Sequence, residues 1–252
     1  MGIIETVERI REQSLENQKR QQPVKMTSYR CSKCRDTTWI IVDDKARRCQ
    51  CYKIDKTKKL WEASGVSIEQ QDKTFKSYIP YSYDTKRARE CGIEYFRNYN
   101  ERKNTRYNSI AFLGQVGSGK THLSIALAVN FLNREIPVVY MPFRDTMMNI
   151  KMNILDHEYY QKSLEKYQKA EILLIDDLYK GKITASDLNI MFEIINYRYI
   201  NQMPIIISSE KGIDDILKMD EAIGSRIYEM CKGMIVEIKG KENNYRIRGC
   251  RN

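Results

Sequence analysis

No run of apolar residues in this 252-residue sequence approaches the roughly 20 that a helix needs to cross a bilayer. The opening stretch, MGIIETVERIREQSLENQKRQQP, carries too many charges for a secretory signal. Repeats and low-complexity tracts are also missing, which removes the solenoid and fibrous classes. A cytoplasmic protein with no membrane partner is the expectation. What remains is a globular composition, 42% hydrophobic and 30% charged, of a length that fits one large domain or a medium domain with a small appendage.

The charge is unevenly placed. Residues 1–107 hold 24 Lys and Arg against 15 Asp and Glu, a net of +9, whereas residues 108–252 hold 19 against 18, a net of +1. A basic front half points to a polyanionic or acidic partner; a solvated face tuned for solubility fits the same count. Ile3, Val7, Ile10 and Leu15 fall on one helical face, for packing on the protein's own body or on a partner.

Four of the seven cysteines are clustered in CSKCRDTTWIIVDDKARRCQC. Cys31 and Cys34 form one close pair, Cys49 and Cys51 another, with a strand-like TTWIIVD between them. Two such pairs flanking a short hairpin can close four thiolates around one tetrahedral zinc, leaving no open position for catalysis. Two disulfides fit a cytoplasmic chain poorly, and an iron–sulfur cluster is the minor alternative. Cys91, Cys231 and Cys250 are isolated and read as structural thiols. A module this small depends on its metal for folding, so its use is recognition, through Lys45, Arg47, Arg48 and the lysines that follow. The polar stretch WEASGVSIEQQDKT marks the join: residues 1–65 form the first domain, 66–74 a linker and 75–252 the second domain.

The densest chemical signal is SIAFLGQVGSGKTHLSIALAVNFLNRE. Ile110 to Leu113 read as a buried strand. Gly114, Gln115, Val116, Gly117, Ser118, Gly119, Lys120 and Thr121 complete G-x-x-x-x-G-K-[ST], and His122 continues into a helix. Backbone N–H groups of such a loop wrap phosphates, and the helix N-terminus adds its dipole. Lys120 should reach the β- and γ-phosphates of ATP, and Thr121 should bind magnesium. In AEILLIDDLY, Ile172 to Ile175 read as a buried parallel strand ending in Asp176, which fits a magnesium-holding carboxylate, and Asp177, which fits a base for the attacking water. Strands over 136–143 and 203–210 alternate with helices over 122–133 and 187–200, the latter with Leu188, Phe192, Ile195 and Tyr199 on one face. That pattern is α/β: a P-loop parallel sheet flanked by helices, with ligands at the carboxyl ends of its strands. Ser208 and Ser209 lie at such an end. In EAIGSRIYEMC, Arg226 is expected near the start of a second helix, facing outward.

GQVGSGKTHL, ILLIDDL, IIISSE, IGSRIYEM and NNYRIR occur in that order over roughly 75–252, and together they resemble the DnaC/DnaI-type replicative helicase loaders, AAA+ ATPases of bacteria and their phages. CRDT and ARRCQC are similar to the zinc-ribbon-like amino-terminal module of Gram-positive and phage loaders. The resemblance implies a Walker A pair in Lys120 and Thr121, a Walker B pair in Asp176 and Asp177, and sensor 1 at Ser208 or Ser209. It places an arginine finger at Arg226 and sensor 2 at Arg246. It further implies ATP, Mg2+ and Zn2+ as cofactors. The implied partners are a DnaB-type helicase, single-stranded DNA, and other copies of the chain in the ATP state. Asp177 stands where such ATPases usually carry Glu, one methylene longer, which implies slow hydrolysis awaiting a partner or DNA. Lys180 and Lys182 are candidates for DNA contact. A transposition-helper ATPase of the same branch is the nearest alternative. A small-molecule kinase would need a lid and an acceptor pocket. An inactive nucleotide fold carrying a zinc nucleic-acid module would show no ATP turnover.

Overall fold

The computed structural model describes residues 8–9, 12–13 and 29–248. The expected apolar face at Ile3, Val7, Ile10 and Leu15 lies outside the described residues, as does Cys250. The chain divides into two compact units, 1–59 and 60–252.

In the first unit, β1 (Trp39–Val42) and β2 (Lys45–Arg48) form an antiparallel hairpin in which Val42 faces Lys45. Its two turn residues, Asp43 and Asp44, have φ of 52° and 54°, the double left-handed conformation that matches strand twist. Arg48 lies over the Trp39 ring at 3.9 Å and over Tyr52 at 4.4 Å. The helix Gln50–Ser64 follows. It ends just short of the join expected after residue 65 and runs through the boundary between the two units. The units meet at Lys59 and Leu60 instead, because Leu60, Trp61 and Val66 carry apolar surface that packs on the second unit's own core. The expected linker 66–74 is likewise part of that unit and holds a short 3-10 turn, Ile68–Gln70.

The second unit is a five-stranded parallel sheet in the order β4 (Val138–Pro142), β5 (Ile172–Asp176), β6 (Ile205–Ser209), β3 (Ile110–Gly114), β7 (Ile235–Ile238). Period-two alternation sends Ile110, Phe112, Ile172, Leu174, Ile206 and Val236 to one face, against Leu123, Leu127 and Phe131 of the helix Lys120–Asn133. Ala111, Leu113, Leu173, Ile175, Ile205 and Ile207 go to the other face, against the helices Ala185–Ile200 and Glu221–Met230. With both faces covered, the strands read as near-continuous apolar runs. In Ala185–Ile200 the fully buried residues are Asp187, Ile190, Met191, Ile194, Ile195 and Arg198; of the expected stripe, Ile195 is among them, Leu188 and Tyr199 pack against the same core half-buried, and Phe192 is 36% exposed. Arg198 is fully buried and donates to the carbonyls of Tyr167, Gln168, Ala170 and Pro204, at the amino ends of β5 and β6.

EAIGSRIYEMC is one helix, Glu221–Met230, not two. Asp220 caps it, accepting from Ile223 N at 2.9 Å. Gly224 does not break it; the glycine is required where the helix crosses Ile213–Met219, since a Cβ there would stand 2.8 Å from Leu217 Cα. Arg226 therefore sits mid-helix rather than at a helix start.

Candidate functional site

The P-loop leaves the carboxyl end of β3 and turns directly into the helix Lys120–Asn133. Gly119 has φ of +86°, and a Cβ on it would lie 2.6 Å from the Tyr78 ring, so only glycine fits between that ring and the loop. Tyr78 OH donates to Ser118 O at 3.0 Å, and Ser118 Oγ donates to Gln115 O at 2.8 Å. Gln115 N donates to Ile238 O at 2.7 Å. Val116 is the exposed crest of the loop. Lys120 is buried and donates from Nζ to Gly114 O and Gln115 O at 2.8 and 2.6 Å. Burial of the ammonium pulls Lys120 down to about 8; among nearby charges that oppose this, Glu210 acts most strongly, ahead of Asp177 and Asp176. Thr121 is half-buried in the first helical turn. His122 donates from Nε2 to Thr74 O at 2.9 Å and stands edge-on to Tyr78, and burial lowers its pKa. Its bonds tie the loop to residues 74–78 rather than point at phosphate.

Asp176 ends β5 with both carboxylate oxygens engaged, one accepting from Tyr140 OH at 3.0 Å and the other from Ser208 Oγ. Both donors are neutral hydroxyls, so neither of them is a cation that would compete with a metal ion for this carboxylate. That fits a magnesium ion held by Asp176 and Thr121. Asp177 adopts φ of 56°, and its N–H donates to Ser208 Oγ at 2.9 Å. Its carboxylate accepts from Lys180 Nζ at 2.7 Å, and the same ammonium lies 3.3 Å from Glu210 Oε1. Lys180 is thus engaged at the ATP site, while Lys182 is exposed. Ser208 and Ser209 are both fully buried. Ser209 Oγ donates to Leu178 O at 2.7 Å and accepts from Lys211 N.

Arg246 sits in the short helix Tyr245–Arg248, which the fold brings onto the P-loop: Tyr245 N donates to Gly117 O at 3.1 Å. Arg226 does not join them. Its Nε donates to Asn196 Oδ1 at 3.1 Å, its Nη1 to Ala222 O at 2.7 Å, and its guanidinium lies over Phe192 and Tyr199 at 5.2 and 5.4 Å. Sequence reasoning missed Tyr78, Tyr140 and Glu210. Only Glu210 carried a local signal, as the polar letter after the paired serines.

In the first unit the hairpin brings the two cysteine pairs together, and the four Sγ atoms lie within 4.8 Å of one another. Cys31 and Cys49 are 3.7 Å apart, and Cys34 and Cys51 are 3.4 Å apart. Sulfurs around a tetrahedral zinc at about 2.3 Å stand about 3.8 Å from each other, so these thiols fit that ion. The Cys34 backbone N–H lowers Cys31 to about 7, while the Cys34 side chain raises Cys51. Among the described residues no helix is long and apolar enough to cross a membrane.

Residues 70–237 match the bacterial DnaA ATPase domain. The chain is 39% identical over 238 residues to the phage-like element PBSX protein XkdC of Bacillus subtilis (strain 168), covering 88% of each. It is 26% identical over 185 residues to the insertion sequence IS21 putative ATP-binding protein of Pseudomonas aeruginosa, covering 72% of this chain and 64% of that one. The crystal structure of the DnaC helicase loader matches with a TM-score of 0.57 at 21% identity, over 69% of this chain and 100% of that one, a likeness of fold. This chain therefore belongs to the bacterial DnaA ATPase-domain family, has XkdC as a relative along most of its length, and is an AAA+ ATPase with the fold of the helicase loaders.

Proposed function

We propose that this protein is an ATP-dependent loader that binds a replicative DnaB-type helicase and places it on single-stranded DNA at the initiation of replication. The observation that carries the reading is one chain joining an ATPase of helicase-loader fold to a separate, basic four-thiol unit. The thiol unit grips the helicase, and Cys31, Cys34, Cys49 and Cys51 hold its zinc. P-loop amides and Lys120 hold the ATP phosphates. Magnesium, held by Thr121 and Asp176, offsets phosphate charge when bound. Arg246 lies on the chain's own P-loop side as sensor 2. Arg226 serves a neighbouring copy, since its guanidinium makes no bond to its own P-loop among the described residues. Lys182 is the candidate for the DNA backbone in the 178–182 loop.

The full-length chain, mixed with the hexameric replicative helicase of its host and circular single-stranded DNA, should form an ATP-dependent ternary complex. No association with the helicase, with capture of a transposase instead, would overturn the reading in favour of a transposition helper, the role that the IS21 relative supports. For Arg226, the expected result of Arg226→Ala is retained nucleotide binding with a loss of about 10³-fold in turnover. Mixing it with Lys120→Ala should recover activity that neither variant has alone. A mixture that stays inactive while both variants assemble refutes action in trans.

A further inference from the structure

Arg226 projects from a helix that is itself fixed: Ile223, Ile227 and Met230 are buried in the core, and Gly224 is seated against Leu217. Neutral groups surround its side chain. Asn196, on the neighbouring helix Ala185–Ile200, accepts from Nε through Oδ1 at 3.1 Å, and Ala222 O accepts from Nη1 at 2.7 Å. The Phe192 and Tyr199 rings lie 5.2 and 5.4 Å from the guanidinium carbon. The Tyr199 ring is held in turn. Its hydroxyl donates to Glu229 Oε2 at 2.7 Å, and the Arg106 guanidinium lies over it at 4.6 Å. Glu229, the acid one turn along the helix from Arg226, is thus directed to Tyr199 and to Arg106, 3.9 Å away.

No carboxylate pairs with Arg226 among the described residues, so its acceptors orient the guanidinium without competing against a phosphate for its charge. Bonds on both Nε and Nη1 fix the plane of the fork. The N–H groups of Nη2 have no partner among the described residues and are left for an acceptor outside. A surface arginine without such bonds samples many rotamers, and the ordering must then be done as the reaction proceeds.

We propose that Asn196 is a positioning residue for Arg226, its amide oxygen presetting the guanidinium so that Nη2 meets the γ-phosphate held by another copy. The proposal rests on the reading of Arg226 as acting in trans. Ala222 contributes a backbone carbonyl, and rings tolerate sliding beneath a cation; Asn196 is the side chain whose hydrogen bond sets a direction. It acts only through Arg226.

The test uses the full-length protein with Mg–ATP, measuring nucleotide Kd and turnover. Asn196→Ala should keep Kd within about threefold and lose about 10- to 100-fold in turnover, the worth of a hydrogen bond to a charged group. Asn196→Leu, which keeps the volume but removes the acceptor, should do the same, and it carries the test if Asn196→Ala does not fold. On an Arg226→Ala background the change should cost no more than about twofold, because the residue it positions is gone. Mixed with Lys120→Ala, which keeps an intact Arg226, Asn196→Ala should regain turnover; mixed with Arg226→Ala it should not. The proposal is overturned, and action in trans left standing, if Asn196→Ala, or Asn196→Leu in its place, stays within about threefold of the parent while Arg226→Ala is impaired. A cost as large on the Arg226→Ala background as on the parent overturns it too, since Asn196 then acts through something else. Parental turnover in Arg226→Ala removes the trans reading itself, and the proposal with it.

Discussion

Between Tyr29 and Lys59 the only described side chains that are buried are Cys34 and Cys49, whereas the second unit buries an aliphatic cluster on each face of its sheet. The hairpin unit has almost no apolar surface to remove from water, and a domain this small ordinarily needs a metal or disulfides. The sheet unit needs neither. Its strands end at one edge where apolar burial fixes the backbone, and the polar groups of the ATP site are set on that frame. Four clustered thiols stand at the centre of one unit and packed aliphatic side chains at the centre of the other.

The sharpest way to break that contrast is to remove the metal. Purified protein should hold about one zinc per chain, and chelation should unfold the hairpin unit while nucleotide binding persists, since structural zinc in small modules is worth about 10–16 kcal/mol. Less than a tenth of a zinc per chain, or nucleotide binding lost in step with the metal, would show the contrast to be false. The converse perturbation is Gly224→Ala. Its methyl group meets the Leu217 backbone, and overpacking of this kind costs about 1–3 kcal/mol. Calorimetry should show a lower Tm for the sheet unit with zinc content unchanged; an unaltered Tm contradicts the close helix crossing.

The smallest effect is one of pH: nucleotide binding by the sheet unit should weaken on the alkaline side, and metal binding by the thiol unit on the acid side. Lys120 titrates near 8 in the fold against 10.5 when unburied, so between those values the unfolded chain holds more protons. Raising the pH through that window therefore stabilises the fold but removes the ammonium that meets phosphate. Nucleotide affinity should be about fourfold weaker at pH 8.5 than at pH 7. The thiol unit should fail on the acid side, where thiolates gain protons and release the metal. Nucleotide titrations flat between pH 7 and 9.5 would count against a depressed Lys120.

The strand, loop and helix around Lys120 were legible in the sequence because their signal is local: an apolar run, spaced glycines, then a helix that begins at once. The same holds for Ile172 to Asp177 and for the paired cysteines. The helix-start position of Arg226 was misjudged because Gly224 looks like a helix break until the crossing with Leu217, a tertiary contact, explains it. The boundary was set a few residues late because WEASGVSIEQQDKT reads as polar, yet Trp61 and Val66 find the core. The place of Glu210 depends on β6 lying between β3 and β5, and strand order is not written in any short stretch.

Arg198 has a consequence for how this fold tolerates change. Its guanidinium serves three carbonyls of the stretch 167–170 and a fourth at Pro204, and pairs with no carboxylate among the described residues. A lysine would keep the charge but not the planar fork that reaches those acceptors together, so the exchange that looks most conservative here is not. The position tolerates little because of its shape rather than its charge, and it does so at the edge of the sheet farthest along the strands from the nucleotide.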